Sequence, residues 1–413
     1  MATLLKDAAE GPAVDPLDVS RAELYRDDTW HAPFRTLRAT APVHRVEHSD
    51  YGPYWSISSY KPIVEIESLP DIYSSQAGGI TIADFIERDD AVKMPMFIAM
   101  DRPKHTGQRR TVAPAFTPSE MVRMSDDIRR RTAEILDSLP WGQEFDWVDT
   151  VAIELTTQML AILFDFPWED RRKLTFWSDW AGDIELAKDE TKRAERLGYM
   201  YECGGYFQKL WDQKVGQPPT PDLISMMLHS DAMREMDHLE FLGNLILLIV
   251  GGNDTTRNTM SGLAYGLDKF PDARAQLEGD PSLIGNSVQE LIRWQTPLAH
   301  MRRTATRDAE LMGHEIAAGD KLIMWYLSAN RDESVFEDAD RIMVDRPNAR
   351  RHLAFGHGIH RCVGARLAEL QIATLLEEMA KRRMRVNVVA EPERVAQCFV
   401  HGYKTLPVEI SRY

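Results

Sequence analysis

The sequence predicts a mainly α fold with small β-sheets, built as one large domain across residues 1–413. Three observations carry that expectation. Apolar residues recur at helical spacing through long stretches, while strand-like stretches are few and short. The residues with the most distinctive chemistry are scattered from His105 to Cys362, so they can serve one site only if the whole chain folds around it. No internal repeat, low-complexity tract or domain linker interrupts the pattern.

Taken in order, residues 1–20 are expected to form a loosely ordered N-terminal segment. Residues 52–58 alternate in the manner of a strand. Helical spacing then covers 119–139, 149–163 and 170–211, and Pro218 to Pro221 reads as a loop between helices. The longest helical run, 237–270, is stopped by Pro271. Strand-like residues 314–325 surround the turn Ala317-Ala-Gly-Asp320, a last helical run spans 362–381, and 394–410 is again strand-like.

Composition narrows the function. The chain carries 49 basic and 64 acidic residues, a net charge of −15, which argues against nucleic acid and against general affinity for anionic membranes. Three cysteines, Cys203, Cys362 and Cys398, are too few and too odd in number for a disulfide framework, and point to a reducing compartment. The start lacks the apolar core of a signal peptide. The best apolar run, Leu245 to Gly252, is far short of the roughly 18 residues of a transmembrane anchor. A soluble, cytoplasmic protein is expected.

The most informative segment is Phe355-Gly-His-Gly-Ile-His-Arg-Cys362, followed by Gly364. Its glycines allow left-handed backbone and close approach to a flat ligand. A cysteine opening a helix has its thiolate favoured by the helix dipole and free N–H groups, as an axial iron ligand requires. A lone cytosolic cysteine is more often a small buried hydrophobe. Against that, a chance match to F-G-x-G-x-H-x-C-x-G in such a chain is on the order of one in a million.

The long helix is unusual in its middle, Ile249-Val-Gly-Gly-Asn-Asp-Thr-Thr-Arg257. Two adjacent glycines cost about 1 kcal/mol each relative to alanine, and Asn, Asp and Thr are poor helix formers. The glycines either admit a closely packed helix or, with Gly251 and Thr255 four apart on one face, open a notch for a ligand.

The cysteine segment resembles the haem-binding loop of the cytochrome P-450 family of haem-thiolate monooxygenases, and the long helix is similar to that family's oxygen-activating segment, A/G-G-x-D/E-T. The resemblance implies a single cytochrome P-450-like domain with haem b (iron protoporphyrin IX) between a long central helix and the cysteine loop. Cys362 would be the axial iron ligand, with Phe355, Gly356, Gly364 and Gly251 against the cofactor. Asp254 and Thr255 would relay protons to bound O2. His105 and Arg109, which match H-x-x-x-R, together with Arg303 and His360, would hold the haem propionates. Glu290 and Arg293 match the family's buried E-x-x-R pair and Arg346 its arginine partner, a structural rather than catalytic set. One departure is the arginine pair Arg350-Arg351 before His352, where the family usually has a single residue.

From Arg346 to Arg366 the chain carries Arg346, Arg350, Arg351, Arg361 and Arg366 and no acidic residue. Beside the cysteine, such a patch would steer an acidic electron carrier. With no dinucleotide-binding G-x-G-x-x-G and no room for a flavin domain, the expected donors are an external ferredoxin and ferredoxin reductase.

Apolar segments offer a pocket for a hydrophobic small molecule: Ile82, Met96, Phe97, Leu248, Leu298, Met301, Phe399 and Val400 are the candidates, each of which could equally be core. Phe97-Ile-Ala-Met-Asp-Arg-Pro-Lys-His105, residues 247–258 and Pro297-Leu-Ala-His-Met-Arg-Arg303 resemble the bacterial branch that hydroxylates medium-chain alkanes and fatty acids at the terminal methyl. Terminal hydroxylation is therefore the expected reaction. The alternatives are hydroxylation of a cyclic terpene or steroid and, in another class, a non-catalytic haem-binding sensor or carrier.

Overall fold

The computed structural model describes residues 15–84 and 92–413. Of the N-terminal segment expected to be loose, 1–14 lie outside the described residues. Residues 17–20 are tied down: Val19 is fully buried, and Asp18 accepts hydrogen bonds from Ser20 Oγ at 2.6 Å and Tyr54 Oη at 2.8 Å.

Helices dominate. The organising element is the helix His238–Lys269, 32 residues long, which packs on Arg172–Gly182, Glu154–Phe164, Glu190–Lys214 and Ile284–Gln295. Asp237 caps it by accepting from Glu240 N–H at 2.9 Å. Pro271 does more than stop it: the next helix, Pro271–Gly279, begins there, the proline occupying the first turn where its missing N–H is not needed. Buried residues face every direction around the central helix, as expected of one that runs through the interior. Pro118–Asp137 packs on Ala365–Lys381, which follows the cysteine loop.

The run 170–211 is not one helix. It divides into Arg172–Gly182, a short 3-10 turn Ile184–Lys188, and Glu190–Lys214. Asp183 and Asp189 each turn their side chain onto a backbone N–H ahead, of Glu185 and Lys192, and so start new elements. The 149–163 run likewise begins as a wider π turn, Val148–Ile153, before the regular helix Glu154–Phe164.

Two sheets matter. The larger has five strands in the order Val43–Val46, Tyr54–Ile57, Lys321–Met324, Met301–Ala305, Tyr73–Ser74. The smaller joins Glu144–Asp146, Pro407–Arg412 and Met384–Val388. The two halves of 314–325 do not pair with each other. His314–Ile316 forms a hairpin with Ala309–Leu311, while Lys321–Met324 lies between Tyr54–Ile57, parallel, and Met301–Ala305, antiparallel. The reason is local: all four residues of Lys321–Met324 are buried, the mark of a central strand, whereas His314 and Glu315 are exposed. Among the described residues, no helix is long and apolar enough to cross a membrane.

Candidate active site

The loop Phe355–Cys362 closes on itself through a hydrogen bond from Cys362 N–H to Phe355 O at 2.8 Å. Gly358 has φ +65°, and a Cβ there would stand 2.2 Å from the carbonyl oxygen of Glu67, so no other residue fits. Gly364, at φ −87°, uses none of that freedom. The helix starts at Ala365, placing Cys362 just outside its first turn. Cys362 is accessible, but to an internal cavity it shares with Phe355, Gly356, Gly364, Gly251 and Thr255. Cys203 and Cys398 are buried in apolar clusters elsewhere. Burial pushes the Cys362 thiol up, and the Gly364 N–H and the guanidinium groups of Arg109 and Arg361 oppose that.

Across the cavity, the two glycines of the central helix divide the two readings between them. Nothing stands within 4 Å of where a Cβ of Gly251 would be, so that position is open, whereas a Cβ on Gly252 would meet Leu160 Cδ2 at 2.7 Å, a close helix–helix approach. Thr255 lines the cavity and donates its hydroxyl to Gly251 O at 2.7 Å.

Asp254 points elsewhere. Its Oδ1 accepts from Ser178 Oγ at 2.7 Å, Asn253 Nδ2 at 3.0 Å and Arg257 Nη2 at 3.2 Å, on the side of the Arg172–Gly182 helix. Its carboxylate does not line the cavity beside Thr255, as adjacency in the sequence had suggested. Burial raises its pKa to about 6, against the pull of Arg257. Arg257 also pairs with the half-exposed Asp179 at 2.8 Å.

One wall of the cavity is polar. The rings of His105 and His360 pack at a tilt of 52° with centroids 4.2 Å apart, and all four ring nitrogens are shielded from solvent without a hydrogen-bond partner. Burial, then neighbouring arginines, lowers their pKa values to about 4 and about 2. Arg109 and Arg303 line the same cavity; Arg109 donates to Arg361 O, and Arg303 donates to Arg302 O at 2.8 Å and Glu67 Oε1 at 3.2 Å.

The cytochrome P450 family model matches residues 282–383. Over nearly the whole chain, linalool 8-monooxygenase of Pseudomonas putida is 34% identical across 403 residues, 95% of this chain and 98% of that protein. The chain belongs to the cytochrome P450 family. A methyl-branched lipid omega-hydroxylase of Mycobacterium tuberculosis is 33% identical over 398 residues, 92% of this chain and 91% of that one. The solved structure of CYP153D17 from Sphingomonas sp. PAMC 26605 superposes with a TM-score of 0.93 at 81% identity, covering 97% of this chain and 100% of that chain.

This P450 is therefore a monooxygenase whose cofactor is haem b, bound in the family through a cysteine thiolate. The residues present fit that group. Two neutral imidazoles with unpartnered nitrogens and two guanidinium groups, on the wall of a cavity that also holds a cysteine sulfur, are the donor set that a dianionic, iron-bearing planar ligand requires.

Glu290, Arg293 and Arg346 sit apart from the cavity in one buried network. Arg293 makes a two-pronged contact to Glu290 at 2.7 and 2.8 Å, and Arg346 Nε reaches the same carboxylate at 2.9 and 3.0 Å. Arg293 also donates to the carbonyls of Asn330, Ala339 and Arg341, so it ties down the chain leading to the cysteine loop. Removing one member of so buried a set typically costs about 3–5 kcal/mol. Being buried, Arg346 adds nothing to the basic surface; Arg350, Arg351, Arg361 and Arg366 are exposed.

Of the pocket candidates, Phe97, Leu248, Leu298 and Met301 line the cavity. Ile82, Met96, Phe399 and Val400 do not. Val400 bridges Leu298 from behind, Phe399 packs on His300 at 5.3 Å, and Ile82 N–H lies 3.1 Å from His300 Nε2. Met96 only leads into the turn Phe97–Ala99. Sequence reasoning passed over Met159, Leu163 and Leu223, which line the cavity from other helices, and Glu67 and Tyr326 on its polar wall. A signal existed for Glu67: it lies four residues after Ile63, on the buried stripe of its helix.

Proposed function

We propose that this P450 hydroxylates the terminal methyl group of linear alkanes or fatty acids, taking electrons from a ferredoxin served by its reductase. The reaction is R–CH3 + O2 + 2 electrons + 2 protons giving R–CH2OH + H2O. The observation that carries the reading is the cavity wall beside Gly251 and Thr255. Phe97, Ile98, Leu247, Leu248, Leu298 and Met301 line the cavity with apolar side chains, while the ionisable lining residues other than Cys362 belong to the His105–Arg303 side. A chain held only by such a wall is bound through its methylenes. The branch resemblance of residues 97–105, 247–258 and 297–303 agrees, as does the omega-hydroxylase named among the relatives.

Bound haem supplies the site that binds O2 and activates it as electrons arrive. The remaining work falls to the chain. Cys362 would hold the iron through its thiolate, with Phe355, Gly356 and Gly364 shaping the loop around it, and His105, His360, Arg109 and Arg303 would donate to the propionates. Thr255 Oγ1 offers a proton on the cavity wall; Asp254, a buried acid with its pKa raised to about 6, faces Ser178 and Arg257 and can resupply that hydroxyl only by turning its carboxylate from them. Asp179, at the surface, links the Asp254–Arg257 pair to solvent. Glu290, Arg293 and Arg346 act only by holding the loop.

The test is a panel of linear alkanes, fatty acids and ring compounds, read by binding titration and product regiochemistry. Cys362→Ala, which should lose the far red-shifted Soret band of the reduced carbon monoxide complex, is the control. Each methylene should add up to about 0.8 kcal/mol until the pocket is full, and long chains should yield mainly the terminal alcohol. Subterminal alcohols at every length, or tighter binding of rings than of any chain, would refute the terminal reading.

A further inference from the structure

The helix Tyr60–Ser68 buries Pro62, Ile63 and Ile66, and on the same face it buries a carboxylate, Glu67, with a side chain 1% exposed. An apolar stripe has no use for a charge, and burying one is unfavourable unless it is fully paired. Glu67 is paired. Its Oε1 accepts from Tyr326 Oη at 2.6 Å and Arg303 Nη2 at 3.2 Å, and its Oε2 accepts from the backbone N–H of His357 at 2.8 Å. Three donors and no acceptor suit an ionised carboxylate. Burial raises its pKa above the usual carboxylate value, and Arg303, Tyr326 and the His357 amide oppose that only in part, which is why the charge is tested at alkaline pH.

The placement has two consequences. The His357 N–H belongs to the loop that ends in Cys362, and Gly358 passes directly over the Glu67 carbonyl, so side chain and backbone of one residue grip that loop. Glu67 also fixes one arm of Arg303, whose other arm is held by Arg302 O, while Arg303 retains further N–H groups for an anion in the cavity. A negative charge at this edge of the site opposes gain of an electron by anything bound there.

We propose that Glu67 is a positioning residue for the haem: it orients Arg303 toward the propionates, pins the cysteine loop, and lowers the reduction potential of the bound iron by its charge. The inference rests on the placement of Arg303 at the propionate edge.

The experiment uses purified holoenzyme at pH 8, with two readouts: the midpoint potential by spectroelectrochemistry, and the rate of haem transfer to excess apomyoglobin. Glu67→Gln removes the charge and sets an amide against the His357 N–H. It should keep the thiolate Soret band, raise the potential and speed haem loss about tenfold or more, the scale of a lost charged hydrogen bond. Tyr326→Phe removes a donor but keeps the charge, so it should also loosen haem while moving the potential downward. A residue with a merely structural role would shift both variants the same way, and that result overturns the proposal. So does a Glu67→Gln protein with the parent's potential and haem-loss rate. If Glu67→Gln does not fold, Tyr326→Phe still decides: an unchanged or raised potential counts against the proposal. Arg303→Gln separates the underlying placement. Faster haem loss there with an unaffected Glu67→Gln condemns only the role of Glu67, whereas no change there removes the propionate assignment itself.

Discussion

Thr255 and Asp254 are neighbours in the chain that face different surroundings, and each supports its own prediction. The Thr255 hydroxyl opens on the cavity and donates to Gly251 O, a contact whose loss should change stability by no more than about 1 kcal/mol. Thr255→Ala should therefore fold, bind haem and bind substrate, yet waste electrons. Product formed per NADH consumed should fall several-fold, with peroxide rising to match; unchanged coupling would take Thr255 out of the relay. Asp254 is a buried acid with its pKa raised to about 6 from a usual value near 4. A carboxyl raised in the folded state destabilises the fold once ionised. That penalty is absent below about pH 4, grows as pH rises toward 6, and is complete above it. Asp254→Asn does not titrate, so the difference in Tm between variant and parent should move in the variant's favour from pH 4 to pH 7. A flat difference would show that Asp254 titrates normally.

At the scale of the element, the paired glycines of the His238–Lys269 helix do separate jobs. A methyl on Gly251 meets nothing within 4 Å, so Gly251→Ala should gain up to about 1 kcal/mol of helix propensity while narrowing the space beside Thr255. A methyl on Gly252 would stand 2.7 Å from Leu160 Cδ2, and overpacking of that kind costs about 1–3 kcal/mol. Gly252→Ala should thus melt below Gly251→Ala, and Gly251→Ala should show the larger change in substrate affinity. The reverse order of Tm would place the close helix contact at the wrong glycine.

For the molecule as a whole, the distribution of charge matters more than its sum. A chain of net charge −15 exposes Arg350, Arg351, Arg361 and Arg366 within a short span around the cysteine. Screening shortens electrostatic reach to about 8–10 Å at 0.1–0.15 M salt. Reduction by an acidic ferredoxin should therefore slow steeply as salt rises, and Arg361→Glu or Arg366→Glu should slow it further at low salt. Reduction by dithionite, a small reagent that needs no docking, should be unaffected by either substitution. Equal sensitivity to both reductants would argue against a docking face here.

The sequence by itself determined the class of fold, the family, the cysteine loop and the break in the central helix, because each is written in neighbouring residues. Helical spacing, a capping Asp237 and the glycines around Cys362 act within a few positions of one another. What required the tertiary structure is what distant segments do to one side chain. Asp254 turns from the cavity because Ser178 and Arg257 receive it, the first lying 76 residues away. The break at Asp183 accompanies packing against the central helix, where a Cβ on Gly182 would strike Asp254 Oδ2 at 2.6 Å. Ile82, Phe399 and Val400 are as apolar as Leu298 and Met301, and only their tertiary neighbours decide which reach the cavity: Ile82 and Phe399 lie against His300, and Val400 bridges Leu298. Glu67 shows the limit best. Its three donors come from 236, 259 and 290 residues along the chain, so its residue type marked an anomaly on a buried stripe, while its partners, and with them its purpose, existed only after folding.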